Sequence, residues 1–523
     1  MKIQTSWILL IALCAALSVS GCAAVDDAIE MVNELIFGEN DKGDSEGGKR
    51  EYRYIPSMSA GNYAVAIDPY DGSLELIDPI NKKHEYIPLS PDPVDAVVLP
   101  DNKTVVVLDG RRHEVRFADV NTLAVTGVVT VGETVNRLIA APQGYYVLAI
   151  YDPNLGSVDY GDSGIINYYE LNILFPGNGI ARAVSIDFAP DNIVFTPDGS
   201  SCLLGKEFRV VHLDLETAET TAFPLSLGAQ DSRTPTAMSI SPDGKLAVIT
   251  VAENSDVYVL DLIEGRINIL DASSKAADMV FVPDTHTVIL TLPDENAVAV
   301  IDLDSGIVET VEMGDTMSLV ELMPGGAQAV FYSIGGAGIT IMDIEDNKTK
   351  SYSLNGTIDS SSAGSPLKID PNGLFVAVVV SGYAGGYKGD WGDDDYWGDY
   401  WDDYWNDDDD NYIDGYGNTL DLVDLGESVT VPFGLEGRVD EFRFSTEGAT
   451  IGLLVSDANK LVVLNVATLK AFSRPLGRSA QSLQYMSSTG KYLVDYDHDE
   501  GKLAFADQAD QENFWFAVRI FDN

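Results

Sequence analysis

After residue 50 the chain is built mostly of short apolar runs, broken at regular intervals by Gly, Pro, Asp and Asn. The clearest stretch, 237–314, is one pattern written twice. In each copy an apolar run ends in a Pro-Asp turn, first Pro242-Asp243-Gly244 and then Pro283-Asp284. A second run follows at 246–251 and again at 287–292. After a polar loop a third run ends in Asp261 and Asp302, and a weaker fourth run closes the copy. Val, Ile and Leu in runs this short, bounded by turn formers, predict strands. Asp261 and Asp302 lie 41 positions apart, the spacing of a four-stranded propeller blade.

The residues that end the third run of each unit are Asp78, Asp119, Leu171, Asp214, Asp261, Asp302, Asp343, Asp424, Asn465 and Asp507. They predict an all-β propeller of about ten four-stranded units over residues 51–523. One wide ring, two rings in tandem and an eight-bladed ring with an inflated count are all open. No Gly/Pro/Ser-rich linker divides the array after Arg50, which favours a single ring. Closure is expected to lay residues 51–56 beside a final strand at 514–521, with Trp515 sealing the last blade. The recurring Asp is read as structural, capping the turn into the fourth strand.

The Pro242-Asp243-Gly244 turn, the VYVLD run at 257–261 and AVAVIDLDSGIVETVEMG at 297–314 resemble the YVTN family of bacterial β-propeller repeats, relatives of the WD40 architecture. The resemblance is good in these two units and looser elsewhere. It implies a fold and leaves the activity open, because propellers host enzymes, binders and scaffolds alike.

The N-terminus reads as a targeting device. Lys2 opens a short positive region, and 7–17 is apolar but short for a membrane anchor. Val19-Ser20-Gly21-Cys22 resembles a bacterial lipobox, which implies a signal peptide at 1–21 and a lipidated Cys22. Two or more acyl chains hold a protein stably on a membrane. Ala23, rather than Asp, follows the cysteine, and by analogy with enteric bacteria this favours the outer membrane. Residues 25–37, with Ile29, Val32, Leu35 and Ile36, predict a short amphipathic helix, and 41–50 a flexible tether.

Three segments break the rhythm, and all fall between second and third strands: 152–164 in unit three, 382–418 in unit eight and 495–501 in unit ten. Strand alternation sends such loops out of one face. The second segment holds twelve Asp between Asp390 and Asp414, and four of the six Trp in the chain. Tyr396-Trp397, Tyr400-Trp401 and Tyr404-Trp405 recur every four residues, after Trp391. Asp and Gly are poor helix formers, so a loop is expected. Its aromatics suit stacking on sugars or aromatic side chains, and its carboxylates suit cations or basic proteins. The same segment also reads as a solvated low-complexity insertion with no dedicated partner.

Charge sharpens this picture. Against 32 basic residues stand 82 acidic ones, a net charge of −50. Such a field repels nucleic acid and anionic lipid, and favours cations or basic partners. It also reads simply as a solubilising surface.

Asp495, Asp497 and Asp499 alternate before Gly501, a spacing that lets carboxylates converge on Ca²⁺. The Gly stands one place later than in an EF-hand, and no Glu fills the twelfth position. A charged hairpin tip explains the same residues. The histidines His84, His113, His212, His286 and His498 form no H-E-x-x-H motif, and neither G-x-S-x-G nor a phosphate-cradling Gly loop occurs. Cys202 in an apolar run and His212 in a third strand are expected to be structural.

The expected function is therefore a lipid-anchored envelope propeller that binds a protein, glycan or cation-bridged partner through its acidic, aromatic face, without catalysis. The alternative is a propeller enzyme, lactonase-like or quinoprotein-like, with its active site in the central channel.

Overall fold

The structure, a computed structural model, describes residues 55–69, 71–89, 92–155, 167–225, 233–360, 364–382, 418–435, 437–496, 502–508 and 514–517. Cys22, the expected helix and the tether lie outside the described residues.

The repeat that led the sequence reading forms blades 5 and 6. Blade 5 is Pro235–Ile240, Leu246–Val251, Asp256–Asp261 and Arg266–Asp271; blade 6 is Met279–Phe281, Thr287–Leu292, Ala297–Asp302 and Ile307–Glu312. Each is an antiparallel meander in which consecutive strands pair. The burial patterns explain the sequence pattern. Leu246–Val251 and Thr287–Leu292 are buried on both faces and read as continuous apolar runs, whereas Arg266–Asp271 and Ile307–Glu312 are mostly exposed and alternate.

Ten such sheets are formed by the described residues, nine of four strands and one of five. First strands lie side by side from blade 1 to 2, 2 to 3, 4 to 5, 5 to 6, 6 to 7 and 9 to 10, and blade 10 returns to blade 1. The hydrophobic core has the same cyclic form. Ten buried clusters each join two neighbouring blades. One of them packs Ala64, Ala66 and Ile77 of blade 1 against Met486, Leu493, Leu503 and Phe505 of blade 10. No single sheet can bury both of its faces, so the ring is the unit of stability. The chain is one ring of ten blades, not two rings and not eight blades.

The closure expected of residues 51–56 and 514–521 falls largely outside the described residues, which include neither 51–54 nor 518–521. The last blade draws all its strands, Ser482–Met486, Lys491–Asp495, Leu503–Asp507 and Phe514–Ala517, from the C-terminal end of the chain. Blade 1 likewise begins with its own strand, Met58–Ala60. Among the described residues no N-terminal strand joins the final sheet. The described parts of blades 1 and 10 pack face to face. The Ser57 N–H donates to Asp495 Oδ2 at 2.6 Å, Gln484 Nε2 donates to the Ser57 carbonyl, and Ser488 Oγ donates to the Gly61 carbonyl. Trp515 does seal the seam, stacked on Phe505 with centroids 5.2 Å apart and packed on the cluster between blades 10 and 1.

The Asp at the end of third strands caps the turn that follows. Asp261 Oδ1 accepts the N–H groups of Ile263 and Glu264, and Asp302 Oδ1 those of Asp304 and Ser305. Asp78, Asp119 and Asp424 do the same, and Asn465 accepts from Thr468. Blade 3 departs from the marker assigned to it. Its third strand is Glu170–Phe175, so Leu171 lies near the strand start, and the turn closes through the Phe175 carbonyl.

Candidate functional site: the face of the enlarged loops

In each blade the first strand runs toward one face and the second returns, so every turn between second and third strands leaves from a single face. The three enlarged segments obey this rule. They lie between Val147–Ile150 and Glu170–Phe175, between Phe375–Ser381 and Asn418–Asp424, and between Lys491–Asp495 and Leu503–Asp507. Blades 3, 8 and 10 thus carry them on one face, with blades 3 and 8 on opposite sides of the ring and blade 10 between them. Trp391, Tyr396, Trp397, Tyr400, Trp401, Tyr404 and Trp405 lie outside the described residues, as do Asp497, His498 and Asp499.

The described residues show how each enlarged loop is founded. In blade 8 an extra strand, Thr357–Ile358, pairs with the end of Phe375–Ser381 in the register Thr357↔Ser381 and Ile358↔Val380. This strand belongs to the link arriving from blade 7. The link then grips the other side of the insertion: the Asn355 N–H donates to Asp421 Oδ2 at 2.6 Å, Asn355 Nδ2 donates to the same carboxylate, and Asn418 Nδ2 donates to Asp359 Oδ2 at 3.0 Å. Asp421 is fully buried. Burial pushes its carboxyl pKa up, and the Asn355 donors offset part of that shift. Gly356 and Gly382 allow the close approach. A Cβ on Gly356 would stand 2.7 Å from the Ser381 carbonyl oxygen, and one on Gly382 3.4 Å from the Gly356 Cα.

Blade 3 uses the same device. Asn136, in the link arriving from blade 2, donates from Nδ2 to the Asp152 carbonyl at 2.9 Å and accepts the Asp152 N–H at 2.7 Å. Thr134 Oγ1 donates to the Asn167 carbonyl, across the segment from Asp152. Arg137 Nη1 meets Asp152 Oδ2 at 2.6 Å. Burial opposes the Asp152 charge, yet the Asn154 N–H and Arg137 outweigh it and hold the carboxyl below its ordinary range. In blade 10 the Gln481 N–H donates to the Asp495 carbonyl, and the Asp495 side chain takes the Ser57 N–H. Asp495 is therefore buried and engaged in ring closure. Among the described residues no group of three or more His, Cys, Asp or Glu is placed to share a metal ion.

Acids on the inner strands bind backbone as well. Asp95 Oδ2 accepts the Leu138 N–H of the next blade at 2.6 Å, and Glu441 Oε2 accepts the Leu483 N–H at 2.8 Å. Both follow β-bulges, after Pro93 and Val439, which turn the carboxylate toward its neighbour. Cys202 is buried and free, with its thiol pKa pushed far up by burial, and is an inert core residue. His212 Nε2 lies 2.8 Å from Ser201 Oγ within blade 4, and burial lowers its pKa.

Sequence reasoning missed this foundation. The signal was present as Asn-Gly at 355–356 and Asn136, but an Asn in a link gives no hint of the loop it will hold.

Comparison with known proteins assigns no family to the chain. No family model matches the chain, and no curated protein sequence matches it. Among solved structures, it is similar to a dihydro-heme d1 dehydrogenase, NirN, in complex with DHE, at 15% identity and a TM-score of 0.44, covering 74% of this chain and 78% of that one. It is similar to a eukaryotic initiation factor at 11% identity and 0.49, over 80% and 99%, and to Kuenenia stuttgartiensis hydrazine synthase at 15% and 0.35, over 61% and 96%. It is the strand topology of this chain that makes it a β-propeller.

Proposed function

We propose that the chain is a lipid-anchored envelope protein whose ten-bladed ring presents the loops of blades 3, 8 and 10 to a partner, and that it acts by binding rather than catalysis. One observation carries this reading: the enlarged loops share a face, and the links of the preceding blades found those of blades 3 and 8 rigidly. Binding residues concentrate on loops held by a rigid scaffold. The inner-strand acids Asp95 and Glu441 are engaged with backbone N–H groups, which suits a structural part better than general acid–base work. The composition adds the partner class. Twelve Asp and four Trp in one insertion, on a chain of net charge −50, favour a basic protein or a glycan over any polyanion. Acylation at Cys22 would hold the ring at the membrane, with residues 23–50 as the spacer.

The test replaces residues 385–416 by a short Gly-Ser linker in the full chain and compares envelope pull-downs with wild type. Loss of a specific partner from the deletion variant supports the reading. An unchanged set of captured molecules would reject the blade 8 insertion as the binding element.

A further inference from the structure

A second feature of the same face is fully described and lies apart from the Trp-rich insertion. Tyr168 and Tyr169 of blade 3 are 39% and 50% exposed, and Phe208, in the corresponding turn of blade 4, is 39% exposed. Among the described residues these are the exposed aromatics of the loop-bearing face; Tyr86 lies on an outer strand and Tyr145 on the opposite face. Tyr168 leans on the half-buried Tyr151 with ring centroids 4.7 Å apart and planes at 52°. The rings rest on a fixed base. The Tyr169 N–H donates to Asn167 Oδ1, and the Tyr169 carbonyl accepts the Ile186 N–H. From there the contacts continue into blade 4: Arg209 Nη1 donates to the Asp187 carbonyl at 2.9 Å, and the Arg209 guanidinium lies over the Phe208 ring at 5.4 Å. At the inner end stands the Arg137–Asp152 pair, beside Tyr151.

We infer that this shelf, running from Tyr151 and Tyr168 to Phe208, is a carbohydrate-binding site for a chain of neutral or amino sugars. Three properties select that class. The weakly positive C–H edges of a sugar ring lie favourably against the negative faces of aromatic rings, and exposed rings held in place lose little entropy on binding. Arg137, about half exposed and held in place by the buried Asp152, offers planar N–H donors to sugar hydroxyls at the inner end. The overall charge of −50 excludes sulfated and uronic-acid polymers. The inference deepens the binding reading by naming a ligand class and a second place on the same face, and it does not depend on the blade 8 insertion.

The test is calorimetric titration of the purified full chain with N-acetylchitohexaose and with cellohexaose, using a sulfated hexasaccharide as the charge control. Binding of at least one of the first two, and not of the third, is expected. Tyr168→Ala should weaken it about tenfold, the contact area of one ring. Tyr168→Phe should bind as wild type, and Tyr145→Ala, on the opposite face, should change nothing. Deletion of 385–416 should leave saccharide binding intact, which separates this site from the insertion. No binding of either neutral hexasaccharide, or equal binding by wild type and Tyr168→Ala, would overturn the inference. So would capture of a basic protein that Tyr168→Ala abolishes without any saccharide binding, which would assign the shelf to a protein partner.

Discussion

The backbone N–H of Ser57 and the carboxylate of Asp495 are 2.6 Å apart in space and 438 residues apart in sequence. This contact locks the ring. It ties the segment entering blade 1 to the second strand of blade 10, beside the cluster that Trp515 covers. Replacing Asp495 by Ala leaves a buried N–H without its acceptor, a cost of about 1–3 kcal/mol. Asp495→Asn keeps an acceptor and should recover most of it. Hydrogen exchange at Ser57 reads the effect locally: protection should fall in Asp495→Ala and be largely retained in Asp495→Asn. Equal protection in both variants and wild type would mean that the seam is held elsewhere.

A second tie joins blades 5 and 6 on the opposite face. His286 Nδ1 lies 2.7 Å from Asp304 Oδ1, and its Nε2 lies 3.2 Å from Asp243 Oδ2, which Lys245 also contacts at 2.8 Å. The hydrogen bond to Asp304, with a smaller one to Asp243, raises the His286 pKa above 6.5. Its contribution is thus fully present below pH 6.5 and is lost as the pH rises through the higher folded value. His286→Gln should cost about 0.5 kcal/mol near pH 6, the size of a surface ion pair, and close to nothing at pH 9. Chemical denaturation at the two pH values checks this. A pH-independent cost would show that the ring packs there without titrating.

The foundation of the insertion gives a third prediction. A methyl group at Gly356 meets the Ser381 carbonyl oxygen at 2.7 Å, too close to be absorbed without backbone movement. Gly356→Ala should cost about 1–3 kcal/mol and raise exchange at Val380 and Ser381, while the rest of the ring keeps its protection. Partner capture should weaken although every residue of the insertion is present. Full capture with raised exchange would show that the insertion works independently of its base.

The blades were legible in the sequence because their information is local. Thr287–Leu292 and Ala297–Asp302 coincide with the runs read from periodicity, and the Asp at each third-strand end declares its own turn. Blade 3 escaped that ruler because its third strand ends at Phe175, where a carbonyl closes the turn and no side-chain cap marks the place. The position of the enlarged loops was also legible, since strand order alone fixes their face. The contacts of the seam were not: the Ser57 N–H meets Asp495 across 438 residues, and a strand pattern does not announce a side chain that caps a distant backbone group. The extra strand Thr357–Ile358 was invisible for a related reason: two residues show no periodicity, and their partner is set by the link that carries them.

The central claim, that the loop-bearing face is the working face, is tested most directly by blocking one face at a time. Blade 9 lies between the blades that carry two of the enlarged loops. Its turn between Thr450–Val455 and Lys460–Asn465 contains the exposed Asp457, and its turn on the opposite face contains the exposed Ala467. Cys202 is buried and should not react, so Asp457→Cys or Ala467→Cys gives a single labelling site on the described ring. Coupling a bulky polyethylene glycol maleimide at position 457 should abolish partner capture by the full chain, and coupling at 467 should leave it unchanged. Capture that survives the label at 457 and is lost with the label at 467 would contradict the account.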